Sequence, residues 1–261
     1  MSATNRVLAG PPGDCCFKGF QHHGTAEGSK ISIAGVPTYF VETKDKNQDK
    51  ILIFLADVWG PFYQSNALLQ DFFAQSGFTV LGIDYFLGDD VSQHDQEEGF
   101  DRMKWIGEMH KIAKGVVPKW WEAVKAKYGT DAKYTVSGYC FGAAYTMDLA
   151  ADNAIVAASI AHPAFLNEDH FRKITKPLML SCAETDHTFP LPSRRIAEDI
   201  LIEHKRQYYF QVFSGVAHGF ASRGDPNISD ERWGREQSAQ GISGWFHRFL
   251  DEKHTSLKQK L

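Results

Sequence analysis

The chain has 261 residues, 43% of them hydrophobic, and a formal net charge of −4. That length and composition suit a single globular domain over 1–261 and exclude a disordered chain. The acidic balance disfavours nucleic acid or an anionic membrane as partner, the first residues lack the apolar core of a signal peptide, and no apolar run nears the ~20 residues of a membrane helix, so a cytoplasmic location is expected.

Residues 1–30, rich in Gly and Pro, read as an irregular arm laid on the domain. Ile31–Val36 and Thr38–Val41 read as an antiparallel hairpin. Ile51–Leu55 is a continuous apolar run, hence a central strand. Helical spacing over Asn66–Gln75 (Leu68, Leu69, Phe72, Phe73) ends at Gly77. Thr79–Ile83 is the next strand. Residues 87–101 are acidic and read as a solvated loop, with a mobile lid as the functional alternative. A long helix is predicted over 102–127, kinked or split at Pro118. Strand Tyr134–Ser137 leads into helix Ala143–Ala150. Strand Ile155–Ile160, strand Pro177–Ser181, a helix at Ser193–His204 and strand Gln207–Phe213 follow. A last helix runs from about Ser229 to Leu250. Strands alternating with helices predict an α/β fold with a mostly parallel sheet and helices on both faces. Such sheets keep their sites at the carboxyl ends of strands, where Asp57, Cys140, Asp186 and His218 all fall.

Gly138-Tyr139-Cys140-Phe141-Gly142 sits where a strand becomes a helix. This is the G-x-S-x-G nucleophile elbow with cysteine in the serine slot. The apex of that turn is strained, and glycines two residues either side give it room. The thiol is expected to be exposed there, over a helix N-terminus that favours thiolate. Asp186 follows the apolar run Leu178–Leu180, and His218 lies in the Gly-bounded loop after Gln207–Phe213. Nucleophile, acid and base thus occur in the chain order of an α/β-hydrolase. Glu184 is the local rival for the acid. The backbone N–H groups of Val58 and Phe141 suit an oxyanion hole, since neither depends on a particular side chain. The four cysteines read as thiols, with Cys15 and Cys16 as small buried hydrophobes under the arm. No C-x-x-C pair, H-E-x-x-H or glycine-rich phosphate loop occurs, so neither a metal nor a cofactor is expected.

Five segments together resemble the dienelactone hydrolase (carboxymethylenebutenolidase) family in its fungal form: Gly138–Gly142, Cys182–Pro190, Ala217–Phe220, Leu55–Gly60 and Asp84–Phe86. Asp14-Cys15-Cys16 and His22–Thr25 look like the amino-terminal signature of fungal members. The resemblance implies an α/β-hydrolase fold with a mostly parallel central sheet, and a catalytic triad of Cys140, Asp186 and His218. It implies that Asp57, where bacterial members carry glutamate, contacts the resting thiol and modulates its protonation. It assigns Arg223 to a substrate carboxylate, while Gly88 stands where bacterial members have another arginine. Trp59, Phe86, Phe141 and Phe189 would form an aromatic wall. His162 and His187 either line the pocket or are ordinary strand-end and loop histidines. The expected activity is cysteine-dependent hydrolysis of a lactone or activated ester through a thioester. The alternatives are lyase, dehydratase or cyclase chemistry in fungal secondary metabolism, or a non-catalytic ligand-binding member. The expected partner is a small-molecule lactone or ester, with no nucleic acid and no membrane, and the chain is expected as a monomer or homodimer.

Overall fold

The computed structural model of the chain describes residues 5–45, 49–94 and 97–251, apart from the side chains of Asp14 and Cys15. The burial expected for Cys15, and the acidic Asp95, lie outside the described residues. Among the described residues ten strands run in chain order: β1 (Val7–Ala9), β2 (Ser29–Ile33), β3 (Val36–Val41), β4 (Lys50–Leu55), β5 (Thr79–Ile83), β6 (Lys133–Tyr139), β7 (Ile155–Ala161), β8 (Leu166–Asn167), β9 (Leu178–Thr185) and β10 (Tyr208–Ala217). The helices are α1 (Gln64–Gln75), α2 (Arg102–Tyr128), α3 (Gly142–Leu149), α4 (Glu168–Lys173), α5 (Leu191–Glu203), α6 (Phe220–Arg223) and α7 (Ser229–Leu250). Among the described residues no helix is long and apolar enough to cross a membrane.

Eight strands form one sheet in the order β10-β9-β7-β6-β4-β5-β3-β2. The neighbours from β10 to β5 pair in parallel, whereas β3 runs antiparallel to both β2 and β5. Parallel strands are covered on both faces and so read as unbroken apolar runs. β4 shows how one run serves two cores. Ile51, Ile53 and Leu55 join a cluster with α2, α3 and α5, while Leu52 and Phe54 join one with α1 and α7. Alternate side chains of a strand point to opposite faces, so these helices form the two outer layers.

Three expectations change. The hairpin turns at Ala34-Gly35, both with positive φ (50° and 79°), and not at Pro37. A two-residue loop of that kind matches strand twist, and Pro37 sits early in β3 opposite Ser32. α2 runs unsplit through Pro118. It buries Trp105, Ile106, Met109, Ala113, Val117, Trp120, Trp121 and Val124, an apolar stripe that outweighs the roughly 3 kcal/mol of an interior proline. The start of the acidic run is pinned, while Glu97, Glu98 and Asp101 are exposed as a solvated loop predicts. Val91 is buried and donates its N–H to the Val58 carbonyl at 3.0 Å. The His94 ring sits between Asp89 and Glu97, each at 2.7 Å, and Trp105 Nε1 donates to the Asp89 carbonyl.

The arm also has order. β1 pairs antiparallel with β8, and Asp14–Phe17 forms a 3₁₀ turn. Gly10 donates its N–H to the Thr188 carbonyl at 2.8 Å, and Phe20 donates to the Arg223 carbonyl at 3.0 Å.

At the end of β5, burial lifts the Asp84 carboxyl to about 6. Its folded pKa lies above its unfolded value, so ionisation opposes folding. Stability therefore falls as pH rises from about 4 to about 6, and the full cost is present above that. Asp84→Asn keeps an oxygen for the Phe86 N–H that Asp84 now accepts. It is expected to raise unfolding stability at pH 7.5 by roughly 2–3 kcal/mol and by little at pH 3.5. Urea melts at the two pH values check this.

Candidate active site

Cys140 has φ +47°, a left-handed conformation that costs a non-glycine residue energy and persists where its surroundings impose it. Those surroundings are tight. A Cβ at Gly138 would meet Thr146 Oγ1 at 2.1 Å, and one at Gly142 would meet the Leu55 carbonyl oxygen at 2.2 Å. Only glycine lets β6 turn into α3 this closely against β4. The Cys140 N–H donates to the Ala161 carbonyl at 3.1 Å, and its own carbonyl accepts from Ala143 and Ala164.

β9 and β10 deliver the other two groups. His218 Nδ1 lies 2.9 Å from Asp186 Oδ1, and both side chains are buried. The same oxygen accepts from the Thr188 N–H (2.9 Å), the Thr188 hydroxyl (2.7 Å) and the Phe189 N–H (3.2 Å). Burial opposes charge on both residues. Against it, the bond and charge of His218 hold the Asp186 carboxyl down at about 2. The bond and charge of Asp186, with the nearby sulfur of Cys16, lift His218 to about 10. Glu184 is exposed and accepts from the Gly215 N–H, so it faces away from the histidine. His162 is wholly buried, with its ring 4.9 Å from that of His218. Burial, then the charge of His218, hold it far below an ordinary histidine, so it is neutral. His187 is exposed, its ring 5.2 Å from His218.

The arm changes the picture of an exposed thiol. Cys140 is 0% exposed. The Cys16 sulfur lies 3.7 Å from the Cys140 sulfur. Both sulfurs and a ring nitrogen of His218 lie within 4.8 Å of one another. Cys16 is buried as expected, but it packs against Cys140 instead of under a remote loop. Its carbonyl accepts from Trp59 Nε1 at 2.9 Å, which holds the turn in place. A cleft of about 190 Å³ opens beside it, lined by Lys18, Gly19, His218, Gly219, Arg223 and Glu231 among others.

Two assignments are corrected. Asp57 Oδ1 accepts from the Trp59 N–H (3.1 Å) and Asn66 Nδ2 (2.9 Å); Oδ2 accepts from Ser222 Oγ (2.7 Å) and from Arg223. Its oxygens are committed to these groups and not to the Cys140 thiol. Arg223 is buried in that ion pair and also donates Nε to the Lys18 carbonyl, while it lines the cleft beside His218. Of the aromatic wall, Phe86 stacks on Trp105 and packs against Phe141. Trp59 lies against Tyr63 and beneath Arg223. Phe189 stacks on Phe171 of α4, both of them core residues. The Val58 and Phe141 N–H groups flank the elbow, and among the described residues neither donates to another backbone carbonyl.

Sequence reading missed Cys16 and Thr188. The Thr188 hydroxyl reaches Asp186 Oδ1, the Pro163 carbonyl and His218 Nδ1 at 2.7, 2.8 and 2.9 Å. A threonine two residues past the acid was its only signal.

A cysteine elbow, with an acid and a histidine on the next strand-end loops, places the chain in the α/β-hydrolase class. The sequence model of the dienelactone hydrolase family matches residues 36–250, and the chain belongs to that family and to its carboxylic ester hydrolases. It is 36% identical to "Dienlactone hydrolase 1" of Gibberella moniliformis, over 94% of this chain and 96% of that one. It is 30% identical to "Hydrolase tropI" of Talaromyces stipitatus, over 93% and 98%. The solved dienelactone hydrolase of Anabaena variabilis superposes with a TM-score of 0.59 at 16% identity, covering 88% of this chain and all of that one.

Proposed function

We propose that the chain opens a lactone or activated ester through a thioester on Cys140, with His218 as general acid–base and Asp186 as the group that orients it. The observation that carries this reading is the left-handed Cys140 apex beside a His218–Asp186 pair. His218 takes the thiol proton and the thiolate attacks the carbonyl carbon. The carbonyl oxygen becomes an oxyanion, which accepts from the N–H groups of Val58 and Phe141. Collapse breaks the carbon–oxygen bond, and the leaving alkoxide takes the proton from His218. In a lactone that new hydroxyl stays attached to the acyl chain. Water, deprotonated by His218, then attacks the thioester and returns the thiol. Cys16 must first give way, because it touches Cys140 where a carbonyl would sit. A cytoplasmic setting fits, since a reducing compartment keeps cysteines in the thiol form. The test is intact-mass and peptide mapping after a brief pulse of activated aryl ester. One acyl group on Cys140 is expected; acylation of Cys16 or Cys182 instead would overturn the assignment.

The Asp57–Arg223 pair bears on the substrate. A guanidinium neutralised by a buried carboxylate offers little to an anion. A neutral lactone or ester is therefore the favoured class. A methyl ester is expected to match or exceed its parent acid in kcat/KM. A tenfold preference for the acid would show that Arg223 leaves Asp57 for the substrate. Arg223→Ala is expected to cost stability instead, about 3–5 kcal/mol, by stranding the Asp57 charge.

A further inference from the structure

Cys16, Cys140 and His218 come from three distant parts of the chain, yet their donor atoms lie within 4.8 Å of one another. All three side chains are buried. Cys16 has no step in the hydrolysis set out above, yet it stands against both Cys140 and His218. We propose that the three residues form a site for one thiophilic divalent cation, Zn²⁺ above all, which staples the arm to the core.

The geometry suits the ion. Two thiolates on a tetrahedral zinc, each about 2.3 Å from it, stand about 3.8 Å apart. The sulfurs here are 3.7 Å apart. Histidine ligands to zinc commonly give their other ring nitrogen to a carboxylate, which fixes the tautomer. His218 Nδ1 is 2.9 Å from Asp186 Oδ1, which leaves Nε2 to face the sulfurs. Two sulfurs and an imidazole select zinc or another soft ion over magnesium or calcium. Binding releases the two thiol protons to solvent, and two thiolates neutralise the ion, so no net charge is buried. Of the three residues, His218 lines the neighbouring cleft of about 190 Å³. The adjacent trio Asp186, His187 and His218 shares the histidine, but its carboxylate is already committed to Thr188 and Phe189.

A bound ion would occupy both the nucleophile and the base. That silencing rests on the proposed hydrolysis; the binding itself does not.

The experiment uses the full chain, reduced, stripped with a chelator and then titrated with Co²⁺. One equivalent is expected to bind with a strong thiolate-to-cobalt charge-transfer band, and Zn²⁺ is expected to displace it. Cys16→Ser and Cys140→Ser, each shown to be folded by circular dichroism, should each abolish the band. Asp186→Asn should weaken Zn²⁺ roughly 10- to 100-fold. Cys182→Ser should leave the band unchanged. Zn²⁺ should also stop ester turnover, and chelator should restore it. Absence of a band at one equivalent would overturn the proposal. So would a band that survives Cys16→Ser, or one lost in Cys15→Ser but kept in Cys16→Ser. A protein that binds Co²⁺ as expected but never turns over an ester would keep the metal site and refute the hydrolysis.

Discussion

Cys140→Ala is expected to lower turnover of an activated ester by roughly six orders of magnitude, the scale on which a triad fails without its nucleophile. Stopped assays with enough enzyme to see the residual rate check the size. The fold should survive. The side chain is wholly buried, so its loss is felt, but one sulfur atom costs only about 1 kcal/mol. Alanine keeps the left-handed strain at φ +47° because it still has a Cβ. Cys140→Gly removes that strain and is expected to be about 1 kcal/mol more stable than Cys140→Ala while equally inactive. Inactivity with a higher melting temperature in the glycine variant would mark the apex as a place where stability is given up for chemistry. A residual rate within tenfold of the unmodified protein would mean that another group attacks the ester.

Asp186→Asn is expected to cut kcat by about 10⁴, with KM little changed. Asp186 Oδ1 gathers four donors: two N–H groups, the Thr188 hydroxyl and His218 Nδ1. An amide oxygen could keep the loop donors, but it lacks the charge that stabilises an imidazolium. Turned the other way, the amide would present N–H to Nδ1 and force the wrong tautomer. His218, held at about 10 partly by that carboxylate, should then lose much of the upward shift. An NMR titration of the ring reads this independently of rate. Glu184→Gln should change kcat less than tenfold, because that carboxylate is exposed on the Gly215 N–H. Reversal of the two effects would move the acid to Glu184.

The parallel sheet and the strand-end positions of Cys140, Asp186 and His218 were legible because their signals are local. Apolar runs mark central strands, and paired glycines around Cys140 mark a sharp turn. Asp186 and His218 each follow a strand and need no long-range information. What escaped the sequence depends on pairings across the fold. Cys16 and Cys140 are 124 residues apart, and Asp57 and Arg223 are 166 apart. Each looked complete in its own segment: a small hydrophobe, an acid beside the elbow, a loop arginine. The buried ion pair could be recognised only once α6 stood next to the turn after β4. The smaller misses have the same origin. Pro118 marks a break by propensity, yet the stripe around Trp120 overrides it. The start of the acidic run reads as solvated until Val91 is seen buried against Val58.

The arm precedes every one of its partners in the chain. During synthesis it leaves the ribosome long before β8, Thr188 and Arg223 exist to receive it. It is therefore expected to dock late, after the sheet has closed, since such distant contacts form slowly. A nascent chain would carry the reactive cysteine uncovered for part of its early life. The covering thiol would arrive last, as a seal on a finished molecule.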